Sequence, residues 1–227
     1  YLLAVETVDY ATLTLLAFGG FFMVGASNAF NQIIEIDTDA LMQRTKTRPL
    51  PTGRMSLNTA LTIAILLAIL GLGILYYINA KSALFGAISI FLYTSAYTPL
   101  KSVTPLTVFV GAIPGAIPFM LGWVAATNQF GIEAGILFMI QFFWQFPHFW
   151  SIGWLQDEEY KKAGFNMLPM NTKDTGAVKQ IIFYTVIMII VSIAPVLQVT
   201  GAFYIYPATA VIVALLGCFM LYYAVQL

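Results

Sequence analysis

The sequence predicts an all-α, polytopic transmembrane helix bundle, and three observations carry that expectation. Hydrophobic residues make up 60% of the chain and charged residues 9%, whereas soluble domains carry about 25% charged residues. Seven segments each supply the roughly 20 apolar residues needed to cross a hydrocarbon core. The Lys and Arg residues also fall almost entirely between alternate segments. A net charge of zero gives no sign of a nucleic-acid partner or of long-range steering.

The chain opens with YLLAVETVDY, without Met, which reads as the end of a preceding span followed by a short loop carrying Glu6 and Asp9. Complete spans are expected near 11–30, 57–78, 83–100, 105–126, 132–155, 180–199 and 203–225. Because Leu227 directly follows a span, a further helix is expected beyond it; residues 1–227 read as one integral-membrane domain truncated at both ends. Arg44, Lys46, Arg48 and Arg54 follow the first complete span, Lys101 the third, and Lys161, Lys162, Lys173 and Lys179 the fifth. Only Lys81 lies on the opposite side. Cationic loops are retained in the cytoplasm, or in the matrix of a mitochondrion. Short loops without an added domain favour a bacterial plasma membrane.

Within the fourth span, Gly111 and Gly115 form a small-xxx-small pattern that permits close helix contact, and Pro114 and Pro118 favour a bend. The single Cys218 excludes an intramolecular disulfide and is expected as a buried small residue. Tyr76, Tyr77, Tyr204, Tyr206, Tyr222 and Tyr223 lie near span ends, as interfacial anchors do.

Residues 31–51, NQIIEIDTDALMQRTKTRPLP, concentrate acids and then cations between two apolar segments. Asn31, Glu35 and Asp39 are four residues apart, so a helix places them within about 80° of one face, where they can share one hard cation. Arg44, Lys46 and Arg48 follow, and guanidinium groups grip phosphate oxygens in bidentate fashion. The pattern describes a metal-diphosphate site; the competing description is a polar loop of solvated charges.

A second constellation, QFFWQFPHFWSIGWLQDEEYKKAGFNMLPM, covers residues 141–170 on the same side. Asp157, Glu158 and Glu159 precede Lys161 and Lys162, so acids again stand beside cations and hint at two halves meeting over a shared cavity. Glu158 and Lys162 also suit a simple i,i+4 pair on a surface helix. Upstream, Gln141, Gln145 and His148 fall within about 60° of one another on a helix, a polar stripe in an apolar span. His148 can be a hydrogen-bonded interior residue or a ligand. Pro147 should kink the helix beside it, and Trp144, Phe146, Phe149 and Trp150 offer flat apolar walls to a planar ligand or to lipid.

The first of these stretches resembles the aspartate-rich motif of the UbiA-type intramembrane prenyltransferases, N-x-x-x-D-x-x-x-D followed by R-T-x-x-R-P. Asn31, Asp39, Arg44, Thr45, Arg48 and Pro49 match, while Glu35 stands at the middle acidic position. WQFPHFW followed by EEYKKAGFNMLPM is similar to the haem O synthase branch of that family. The resemblance extends over nearly the whole chain. It implies a bundle of nine helices around a central cavity, with farnesyl diphosphate and haem b as substrates. It further implies that Mg2+ bridges the diphosphate to Asn31, Glu35 and Asp39, with Glu158 or Glu159 contributing from the second loop. Arg44, Lys46, Arg48 and Lys161 would neutralise the leaving group, and His148 would bind haem. A quinone or phenolic prenyltransferase, a membrane transporter and a non-catalytic haem-binding assembly protein are the other readings. A transporter predicts ionisable groups deep in several spans, whereas here they gather at one face.

Overall fold

Apolar runs punctuated by capping residues give a chain that is helical throughout, without strands, in the computed structural model, which describes residues 1–227. Helix α1 covers Tyr10–Ile34, α2 Ile36–Leu41, α3 Leu57–Ile78 and α4 Ala80–Phe91. A π-helical segment, Leu92–Tyr97, and a single turn, α5 at Thr98–Leu100, continue α4. Then come α6 at Thr107–Thr127, α7 at Ile132–Leu155, α8 at Asp157–Lys162, α9 at Thr175–Ile193 and α10 at Pro207–Val225. Counting α4 through α5 as one rod, seven long rods result, at the seven expected places. Six are long and apolar enough to cross a membrane. The other, α7, runs for 24 residues, but Gln141, Gln145 and His148 dilute its apolar character.

Caps explain the boundaries that differ from expectation. The sixth rod begins at Thr175 rather than near 180, because the Asp174 carboxylate accepts a hydrogen bond from Ala177 N at 2.8 Å and starts the helix there. The seventh begins at Pro207 rather than near 203, since proline suits the first helical turn and has no N–H to leave unpaired. Cys218 is exposed on α10 rather than buried.

Successive rods are joined alternately at the two ends of the bundle. Arg44, Lys46, Arg48, Arg54, Lys101, Lys161, Lys162, Lys173 and Lys179 therefore gather towards one end, and Lys81 stands at the other. Packing passes from α1 to α3, α4, α6, α7, α9 and α10 in turn. Helix α6 is the central post: 67% of its span is buried, against 17–22% for the other five apolar rods.

Its prolines and glycines have specific neighbours. Pro118 lacks the N–H that would serve the Pro114 carbonyl, and Ser89 Oγ donates to that oxygen instead at 3.3 Å. Gly111 lies against the Tyr97 ring and Gly115 against the Gln145 amide, whose Nε2 sits 2.5 Å from where a Cβ would stand. The pair thus makes room for side chains of neighbouring elements, with no clash against backbone.

At the far end, Asn79 Oδ1 caps α4 by accepting from Ser82 N at 2.8 Å, and its Nδ2 donates to Val124 O at 3.1 Å. One amide therefore starts one helix and ties it to the end of another. Asn79→Ala should lower stability by about 1–2 kcal/mol, the combined loss of a cap and a part-buried hydrogen bond. Asn79→Asp should keep the cap and fall between the two; thermal unfolding in a fixed detergent reads the order.

Candidate functional site

The first acidic motif sits where α1 ends. Glu35 has left regular helical geometry, with φ −100° and ψ 18°, and forms the joint between α1 and α2. The hydrogen-bond ladder nevertheless continues through it, from Glu35 N to Asn31 O at 2.9 Å and from Asp39 N to Glu35 O at 2.7 Å. Asn31, Glu35 and Asp39 consequently all line one cavity. They are 7%, 6% and 0% exposed, a depth at which ionised groups need partners.

Those partners are cations from two other segments. Arg48 Nη1 meets Asp39 Oδ2 at 2.7 Å, and Lys101 Nζ meets Glu35 Oε1 at 2.8 Å. The loop between α2 and α3 is folded back for this purpose: Thr45 Oγ1 donates to Asp39 O at 2.9 Å, and Thr45 is buried. Lys101 follows the π-helical segment. Thr98, whose N–H and hydroxyl both reach Tyr93 O, has Oγ1 at 2.8 Å from that carbonyl and accepts from Asn31 Nδ2 at 3.3 Å. The wide turn thereby docks the third rod on the first and brings Tyr93, Tyr97 and Lys101 to the cavity. Lys101 Nζ lies 4.7 Å from the Tyr97 ring centroid and 5.6 Å from that of Phe165, close enough for cation–π attraction. Burial pushes the Lys101 ammonium down in pKa, opposed by the charge of Glu35.

The cavity has a volume of about 450 Å³, within the usual range for small-molecule sites. Arg44 and Arg48 line it together with the three motif residues, Asn28, and Gln156, Tyr160, Phe165 and Met167 from the second loop. Burial raises the Tyr160 phenol, and the positive charge of Arg44 opposes that rise.

Other expected residues lie outside this lining. Lys46 and Glu158 are exposed. Lys161 pairs with Asp157 at 2.8 Å. Both Glu159 oxygens are engaged, Oε2 by Gln43 N at 2.6 Å and Oε1 by Lys162 Nζ at 2.7 Å, and these bonds hold its carboxyl below the ordinary range. Glu159 thus ties the second loop to the first. His148 stacks on Trp144, with ring centroids 4.2 Å apart and planes at 19°, and meets Phe149 edge-on.

Lys101, Asn28, Tyr93, Tyr97, Gln156 and Tyr160 are the polar lining residues that sequence reasoning missed. A signal existed for some of them: Tyr93, Tyr97 and Lys101 recur every four residues on the third rod, and Asn28 precedes Asn31 by one turn of an apolar helix.

The donor set suits a hard divalent cation. Asp39 Oδ1 is buried without a partner, and Glu35 Oε1, equally buried, has Lys101 Nζ alone, at 2.8 Å. Two such oxygens beside the Asn31 amide are hard oxygen ligands, although no cluster of three acids or histidines forms.

The UbiA prenyltransferase family model matches residues 1–227. A curated relative from Flavobacterium psychrophilum named protoheme IX farnesyltransferase is 63% identical over 100% of this chain and 77% of its own length. One of the same name from Myxococcus xanthus is 40% identical over 91% of this chain and 70% of its own. Among solved structures, an apo UbiA homologue from Aeropyrum pernix superposes with a TM-score of 0.81 at 20% identity, covering 99% of this chain and 83% of that one. A UbiA homologue from Archaeoglobus fulgidus bound to GPP and Mg2+ gives 0.74 at 19%, covering 97% and 76%. At these identities the structural likeness is one of fold.

Removing one member of a buried ion pair strands the other, at a cost of about 3–5 kcal/mol. Lys101→Met should therefore destabilise the bundle more than Lys101→Met combined with Glu35→Gln. A double-mutant cycle on melting temperature checks this; additive losses would mean that the two groups do not interact.

Proposed function

The chain belongs to the UbiA prenyltransferase family, and we propose that it moves the farnesyl group of farnesyl diphosphate onto a vinyl group of haem b. The observation that carries prenyl transfer is the convergence of buried carboxylates, one Asp39 oxygen among them unpaired, and cations on one cavity at the end of an apolar bundle. The choice of acceptor and donor is supported by 63% identity, across the whole chain, to relatives named for that reaction.

Arg44, Arg48 and Lys101 receive the diphosphate, the guanidinium groups in bidentate fashion and the ammonium as a point charge. Lys46 and Lys161, exposed at the same end, add to the attraction that draws the anion in. Asn31, Glu35 and Asp39 hold Mg2+, which when bound withdraws electron density from the leaving oxygens. Glu158 and Glu159 remain candidates from the second loop, Glu159 only by giving up Gln43 or Lys162.

The allylic C–O bond breaks with its electron pair leaving on the diphosphate. Tyr97 and Phe149, whose ring centroids are 6.1 Å apart, wall the space beneath, and aromatic faces attract a delocalised cation as they attract Lys101. The vinyl π pair then closes the new C–C bond. Water adds to the porphyrin-side cation and loses a proton, giving the hydroxyethylfarnesyl group. Apolar walls delay water until that second stage, since earlier entry would quench the allylic cation. The His148–Trp144 stack is the proposed haem contact; imidazole is a usual axial ligand of haem iron.

The protein is integral to the membrane, and the cationic end, with the site, faces the cytoplasm of a bacterial cell.

In lipid with haem b, farnesyl diphosphate and Mg2+, the protein should form hydroxyethylfarnesyl haem, detected by mass spectrometry and abolished by chelator. Unchanged haem with prenylation of a phenolic acceptor would leave the family standing and remove the haem assignment. Asp39→Asn should lower turnover by at least about 100-fold, as loss of leaving-group stabilisation does, with haem binding retained. His148→Ala should weaken haem binding and spare diphosphate binding.

A further inference from the structure

A second cavity lies between α1, α3, α4 and α6, with a volume of about 290 Å³. It lies beyond the first, towards the far end of the bundle. Asn28 and Tyr93 line the upper cavity, whereas Ser27 and Ile90, the nearest inward residues on the same elements, line the lower one. From Ser27 to Ala17 the α1 wall descends ten residues, about 15 Å at 1.5 Å per residue.

Its two serines offer no free donor to a ligand. Ser27 Oγ donates to Met23 O at 2.9 Å, and Ser89 Oγ to Pro114 O. The occupant suited to such walls is hydrocarbon, and the polar head above it fixes which end points up.

The inner wall is held by glycines. Leu75 is fully buried on α3 and lines the cavity. A Cβ on Gly86 would stand 2.7 Å from Leu75 Cδ1, and one on Gly19 would stand 3.0 Å from Leu75 Cδ2. Met23 is cradled similarly: a Cβ on Gly71 would meet its Cγ and Sδ at 2.9 Å. Glycine at these places lets the Leu75 and Met23 side chains retract from the cavity, and any larger residue would drive them into it.

We propose that Leu75, seated between Gly19 and Gly86, sets the length of prenyl chain that the protein accepts. This deepens the prenyl-transfer reading and rests on it. A chain of three isoprene units ends against Leu75; a fourth collides with it; a second leaves apolar wall uncovered. An apolar pocket discriminates by about tenfold or more for each methylene added or removed, so one isoprene unit is ample to sort donors.

The test offers geranyl, farnesyl and geranylgeranyl diphosphates together, at equal concentration, to protein in lipid vesicles with haem b and Mg2+, and reads the ratio of prenylated haems by mass spectrometry. A ratio within one sample does not depend on how much protein is folded. Leu75→Ala should raise the geranylgeranyl-to-farnesyl ratio at least tenfold, and Gly86→Ala should raise the geranyl-to-farnesyl ratio. If Leu75→Ala fails to accumulate, Leu75→Val, which removes less volume, should shift the ratio in the same direction. Unchanged ratios in both Leu75 and Gly86 variants overturn the proposal and mean that the chain leaves sideways past Phe21 and Val24, which are exposed. Wild-type protein that prenylates no haem from any donor overturns the functional reading itself.

Discussion

Everything at the polar end depends on the cost of burying charge. Glu35 and Asp39 have side chains 7% and 0% exposed, and charge buried to that depth is costly without a counterion beside it. Lys101 supplies it from a segment remote in sequence, and Arg48 from the loop that follows α2. The two pairs have different effects: Arg48 folds that loop back over α2, and Lys101 ties the third rod to the end of the first. The same requirement explains why the pairs are incomplete. Asp39 Oδ1 has no partner, and Glu35 Oε1 has Lys101 alone. A structural ion pair gains by satisfying every lone pair, so the unpaired, fully buried Asp39 oxygen is the feature on which the proposed cation site rests.

Departures from regular helix do the aiming. Glu35 breaks α1 yet keeps the ladder, so the motif bends over the cavity instead of running straight into solvent. The π-helical turn at Leu92–Tyr97 changes the phase of the third rod and presents Tyr93, Tyr97 and Lys101 together; such turns recur at functional sites because they re-aim side chains without ending a helix. Helix α6 contributes by omission, its Gly111 and Gly115 admitting the Tyr97 ring and the Gln145 amide. Each irregularity costs backbone regularity and returns a side chain placed where a straight rod could not put it.

These particulars also explain what the sequence could and could not tell. The seven rods were legible because a bilayer imposes length and apolarity on every span, and Asn31, Glu35 and Asp39 were legible because their spacing survives the joint at Glu35. Helix starts at Asp174 and Pro207 were missed for a local reason, a cap and a ring whose effect depends on the neighbouring backbone. Lys101 read as one cation among several, since its role depends on a π-turn that no hydrophobic period announces. The family resemblance implied Glu158 or Glu159 as a second-loop ligand; what the sequence could not show is that the Glu159 oxygens also meet Gln43 N and Lys162 Nζ, the first of these contacts formed only once the two loops meet.

The division of the interior into a charged upper cavity and an apolar lower one has a chemical consequence. A prenyl diphosphate is itself divided in that way, so its head and tail fix one orientation without any directional contact to the hydrocarbon. In the proposed reaction the scissile bond is assigned to that boundary, beside Tyr97 and Phe149, with cations on the leaving-group side and aromatic faces on the allylic side. Under that proposal the electron pair released in bond breaking moves towards Arg44, Arg48 and Lys101, which line the upper cavity. Stabilisation of that kind grows as the bond lengthens, and so favours the transition state over the bound substrate.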